Sequence, residues 1–213
     1  MLKRKLAVLL AAATVCIGTT VWQTGMTAFA ADGVESELVA GYQLFTERTG
    51  KFSVQIPQTW TERDSEEAAA STNEAVEGGV LDEYGYDSSQ LEGNNADAGS
   101  YFYNTEAEEE NINVQVTESG YSAAEAAEML KTEETQSTFK DQYLAFGVDE
   151  SDITMLGMVT YGENEYMGIK VKMFDVEMNQ FVIAGEDYVY TLTFTGISDP
   201  AIMDNFLKTF TLN

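Results

Sequence analysis

The stretch "GKFSVQIPQTW", Gly50 to Trp60, decides how the rest of the chain is read. Phe52, Val54 and Ile56 alternate with Ser53 and Gln55, and side chains alternate across a strand, so one face of this segment is apolar and the other polar. Pro57 has no N–H to donate and stops the ladder. Upstream, "YQLFTE" (Tyr42 to Glu47) is strand-like and "RTGK" supplies a turn with a glycine, so the two limbs read as a hairpin. Trp60 stands where the strand ends and the composition changes. Two roles suit it there: sealing the edge of the core, or rimming a groove.

Toward the N-terminus the pattern belongs to targeting rather than to the fold. Lys3, Arg4 and Lys5 precede an apolar run from Leu6 to Ile17, and Ala28-Phe29-Ala30 forms an Ala-x-Ala site before Ala31. A membrane-spanning helix needs roughly 20 apolar residues, and this run is shorter. The layout is that of a secretory signal peptide over residues 1–30, cleaved after Ala30. Cys16, the one cysteine, follows Val15 rather than a small residue, so it is read as apolar filler and not as a lipid anchor. Residues 31–41 read as a flexible leader.

Removing residues 1–30 from the 213 leaves 183, about one domain. The three basic residues of the leader leave 8 Lys+Arg of the original 11 against 36 Asp+Glu, a net charge of −28. Such a chain repels nucleic acid and anionic lipid, which need cationic neutralisation. Cations, basic proteins and amine-bearing cell-wall polymers are the compatible partners. The reading expects an extracellular or cell-wall ligand, no membrane contact after cleavage, and a monomer. With no cysteine after Ala30 and no histidine anywhere, Ser-His and Cys-His catalysis and most zinc sites are excluded.

Downstream, Glu62 to Asn111 holds 15 acidic residues and one basic residue, Arg63. An acidic insertion over about 62–98 follows from this, with "DSEEAAASTNEAVEGG" as a short helix inside it. Order resumes at "SYFYNTE" (Ser100 to Glu106). "EAEEE" reads as a solvated connection to the strand "INVQVTE", where Ile112, Val114 and Val116 alternate with Asn113, Gln115 and Thr117. Ser122 and Glu125 form a capping box at the head of an alanine-rich helix, with a break expected near Gln136–Thr138. Two hairpins turn at Gly162-Glu163-Asn164 and Gly185-Glu186-Asp187. A final helix is capped by Asp199, has Pro200 at its first position, and aligns Met203, Phe206, Leu207 and Phe210 on one face.

This order, with "GKFSVQIPQTW", "YFYNTEAEEENINVQV", "GYSAAEAAEML", "DYVYTLTFTG" and "FLKTFTL", resembles the PsbP-like family from about Tyr42 to Leu212, the acidic insertion excepted. The resemblance implies an α+β fold, an antiparallel β-sheet flanked by helices as an α/β/α sandwich, in a single domain over 42–213. These are framework motifs and carry no chemistry. The lysine-bearing surface and histidines of the family's photosystem subunit have no counterparts here.

Two candidate sites remain. Trp60, Tyr84, Tyr86, Tyr101 and Tyr103 form a possible stacking surface for a sugar or peptide beside the insertion, with half-buried packing as the competing role for the tyrosines. Asp82, Glu83, Asp87, Asn95 and Asp97 supply hard oxygens among glycines, the donor set calcium takes, though without EF-hand spacing. Calcium is therefore the one cofactor carried forward. No catalytic residue is assigned, and the expected function is a secreted, non-enzymatic binding domain. A calcium-dependent version is the alternative and a carboxylate-based hydrolase the third reading.

Overall fold

The computed structural model describes residues 38–63, 99–173 and 175–213. The hairpin is present as β1 (Tyr42–Thr46) and β2 (Phe52–Pro57), antiparallel, with Phe45 opposite Val54 and Gln43 opposite Ile56. Gly50 takes φ +74° in the turn, a region open to glycine at little cost. The last two residues of β2's partner set were not read from the sequence: β10 (Thr211–Leu212) pairs with Ser53 and Phe52, making a three-stranded sheet.

A second, seven-stranded antiparallel sheet runs β3-β4-β5-β9-β8-β7-β6. Its strands are β3 (Trp60–Arg63), β4 (Gly99–Asn104), β5 (Ala107–Glu118), β6 (Ile153–Tyr161), β7 (Asn164–Met173), β8 (Val176–Ala184) and β9 (Tyr188–Thr195). Two features differ from expectation. Trp60 opens an edge strand rather than standing where a strand ends, because its pairing partner is Asn104 of β4. The acidic run from Ala107 to Glu110 lies within β5, not in a connection, and Glu110 is buried.

Three helices are seen among the described residues: α1 (Ala123–Leu130), α2 (Glu133–Phe146) and α3 (Pro200–Thr209). The Ser122–Glu125 capping box opens α1 as expected. The helix break falls earlier than expected, at Lys131–Thr132, because the Thr132 hydroxyl accepts from Thr135 N and starts a new helix. Asp199 accepts from Ala201 N at the head of α3. At its other end, Tyr166 Oη donates to Leu207 O at 2.7 Å and Asn164 Nδ2 to Phe210 O at 2.7 Å. Carbonyls without helical partners are satisfied this way.

The helices lie on opposite faces of the large sheet. Phe206 and Leu207 of α3 join the main core with Phe102, Ile112, Val114, Phe181 and Phe194, beneath the small sheet. Phe194 meets Phe206 edge-on with centroids 5.3 Å apart, and Phe52 stacks on Phe210 at 5.1 Å. On the other face, Leu130 of α1 packs with Met167 and Val182, and Phe139 of α2 lies against this cluster. The architecture is α+β, a large antiparallel sheet flanked by helices.

Candidate functional site

The α1–α2 face of the large sheet changes character from one edge to the other. At β6 and β7 it is apolar, with Met155, Met158 and Ile169. Toward β3 it becomes polar. Cα partners on antiparallel strands share a face, so one line across the sheet reads Arg63, Tyr101, Asn113, Thr193, Gln180. The neighbouring line reads Thr61, Tyr103, Asn111, Thr195. Gln115 and Thr191 continue the same surface.

The inner part of this strip is a buried hydrogen-bond chain: Tyr143 Oη of α2 donates to Gln180 Oε1 at 3.4 Å, and Gln180 Nε2 to Thr193 Oγ1 at 3.1 Å. Beside it, Asn111 Oδ1 and Thr195 Oγ1 are buried with no hydrogen-bond partner among the described residues. Buried polar atoms are ordinarily satisfied, so a pair of them on one cross-strand position marks the strip. The outer part is more open. Tyr103, Asn113 and Arg63 are half-buried, and the Arg63 guanidinium lies 4.8 Å from the Tyr103 ring centroid and 5.7 Å from that of Tyr101. Cation and ring attract through the ring quadrupole, which fixes both in place.

The sequence-named residues divide accordingly. Tyr101 and Tyr103 stand together on this face, with Tyr101 buried. Trp60 is 2% exposed and belongs to the α3-side core, on the opposite face, so the position it occupies is the core-sealing one. Gln43 Nε2 donates to its carbonyl at 3.0 Å. Tyr84, Tyr86, Asp82, Glu83, Asp87, Asn95 and Asp97 lie outside the described residues, as does the helix expected in "DSEEAAASTNEAVEGG". Among the described residues no group of three or more His, Cys, Asp or Glu is placed to hold a metal ion.

Arg63, Asn113 and Gln180 were missed as site residues. Asn113 appears in the sequence only as an outward position of a strand, and Gln180 inside an unremarkable run. What joins them is the order of strands, β5 next to β9, which no local pattern reveals.

Glu110 is the one buried carboxylate among the described residues. Burial pushes its carboxyl up, but hydrogen bonds from the Ser198 hydroxyl, Asn104 Nδ2 and Ser198 N outweigh it and hold the pKa below the usual value. A general acid needs the opposite shift. Glu110 is a structural anchor.

The class these features define is an α+β domain with a polar, aromatic-edged strip on one sheet face. No protein-family model and no curated protein matches the chain. Among solved structures it is similar to a protein of Bacteroides thetaiotaomicron VPI-5482 at 10% identity and TM-score 0.48, over 81% of this chain. The chain spans about half, 49%, of that protein's length. It is also similar to cyanobacterial PsbP (CyanoP) of Synechocystis sp. PCC 6803, at 12% identity and TM-score 0.46, covering 86% of this chain and 98% of that one. A third is the Ran-binding protein Mog1p of Saccharomyces cerevisiae, at 10% identity and TM-score 0.45, covering 80% and 95%.

Proposed function

We propose that the chain is a secreted, non-enzymatic binding domain of the PsbP-like kind, whose recognition surface is the open end of the polar strip: Arg63, Tyr103 and Asn113. The observation that carries this is the Arg63–Tyr103 pair at 4.8 Å beside half-buried Asn113. It gives a flat aromatic ring, a fixed cation and an amide on one rigid sheet face, where hydrogen-bonding and stacking groups converge. The buried Asn111 and Thr195 behind it add polarity that a packing surface has no use for.

Action outside the cell follows from the layout of residues 1–30. Glu110, whose hydrogen bonds stabilise the charged form, does not offer the raised carboxyl that the carboxylate-based hydrolase reading needs of its general acid. The ligand is a component of the cell envelope or its surroundings, and the domain works as a monomer. Co-sedimentation with isolated cell envelopes tests this: the protein partitions with the envelope fraction, and Tyr103→Ala with Asn113→Ala lowers the bound fraction while the melting point is kept. Equal partitioning of protein and variant sinks the proposal. Melts with millimolar calcium against a magnesium control belong to the same experiment. An excess shift with calcium favours the calcium-dependent alternative, since a ligand of the folded state raises its melting point.

A further inference from the structure

The two edges of the seven-stranded sheet are unequal. β3 offers four residues, two of them the charged Glu62 and Arg63. β6 offers nine, "ITMLGMVTY", with no charge and no proline. Among the described residues its only ladder is with β7, and beyond that ladder the backbone bond seen is at its entry, where Ile153 N–H donates to Glu150 O. Natural edges are commonly guarded by lysine, proline, shortness or a covering loop. This one has a single such device, the bulge between Met155 and Gly157, which leaves the arm from Gly157 to Tyr161 free to pair. Thr154, Leu156 and Thr160 are exposed along it, Leu156 by 39%.

The ends of the edge have a sign. Asp149 and Asp152 stand at its entry and Glu163 at its exit, all exposed and without an ion-pair partner among the described residues. The nearby lysines are already engaged: Lys140 with Glu150, Lys131 with Glu165, Lys170 with Glu177 and Lys172 with Asp175. An antiparallel pairing of β6 with a second copy would bring Asp152 of one chain toward Glu163 of the other, acid against acid at both ends.

We propose that β6 is a docking edge for an extended segment of a partner protein, uncharged in its middle and basic at both ends, which adds to the sheet as an eighth strand. Main-chain hydrogen bonds to β6 supply the attachment, as in other strand-addition complexes, and the terminal charges set the partner. The proposal is independent of the surface at Arg63 and Tyr103.

The probe is a synthetic peptide of alternating threonine and valine with two lysines at each end, added to the protein at low salt. Amide hydrogen exchange is expected to slow at least tenfold across Ile153–Tyr161 and nowhere on β3. The double variant Asp152→Lys with Glu163→Lys, both at exposed positions, is expected to weaken binding about tenfold while keeping the melting point. Protection elsewhere, no protection, or unchanged affinity in the double variant overturns the proposal. So does protection of β6 without peptide that grows with protein concentration, which would make a second copy the occupant.

Discussion

Ser198 donates both its backbone N–H, at 3.0 Å, and its hydroxyl to one oxygen of Glu110, while Asn104 Nδ2 donates to the other at 2.8 Å. One carboxylate thus ties the end of β4 and the start of β5 to the segment that leads into α3. The charged form is the one these bonds favour, and the pKa is lowered. Stability from such a group is fully present above its unfolded-state pKa and is lost as pH falls through the lower folded-state value.

Glu110→Gln therefore costs about 1.5–3 kcal/mol at pH 7, the range for hydrogen bonds to a charged group. The gap between protein and variant narrows as pH falls below the unfolded glutamate value, about 4.3, toward the lower folded-state value. Urea unfolding at pH 7, 5 and 3 measures it. A gap that stays constant, or widens toward acid, contradicts the assignment.

Phe206 joins α3 to the sheet, with Phe194 at 5.3 Å and Phe102 at 6.0 Å. Its truncation leaves a hole that the surrounding rings cannot fill. Phe206→Ala is expected to destabilise by about 3–5 kcal/mol, and Phe206→Leu by clearly less. Equilibrium denaturation separates the two, and equal losses would mean that α3 is held by something other than this contact.

Gly196 follows β9 with φ +66°, and a Cβ there would lie 2.9 Å from Glu109 O. The obstacle is backbone, so no rotamer relieves it. Gly196→Ala is expected to cost about 1–3 kcal/mol from the left-handed conformation alone, and more from the clash. A thermal melt unchanged from the native protein would contradict the placement.

Tyr166 is buried, its phenol pushed above the ordinary tyrosine value by that burial, and its hydroxyl serves the Leu207 carbonyl. Tyr166→Phe leaves that acceptor without its closest donor, at an expected cost of about 1–3 kcal/mol. Faster amide exchange in the last turn of α3, with the sheet unaffected, is the local signature to measure.

Much of the framework was legible in the chain because its signals are local. Alternation gave β2 and the apolar face of β5, and Ser122-x-x-Glu125 and Asp199-Pro200 gave two helix starts. The signals that failed were those that depend on distant partners. Glu110 looked like any member of an acidic run, since two of the three hydrogen bonds that distinguish it come from Ser198, 88 residues away in sequence. Thr211 and Leu212 are too short to read as a strand without Ser53 and Phe52 opposite. The candidate surface was half legible: Tyr101 and Tyr103 stand out as aromatics, whereas Arg63 gains its meaning from lying across a ladder from Tyr101.

The central claim is that recognition occurs on the sheet face carrying Arg63, Tyr103 and Asn113. Its most direct test is amide-resolved NMR of the protein as fractionated cell-envelope extracts are added. Shifts that begin at Tyr103 and Asn113 and spread along β4 and β5, and that vanish in Tyr103→Ala, are the predicted result. Shifts confined to other elements, with Tyr103 and Asn113 unmoved at saturation, would contradict it.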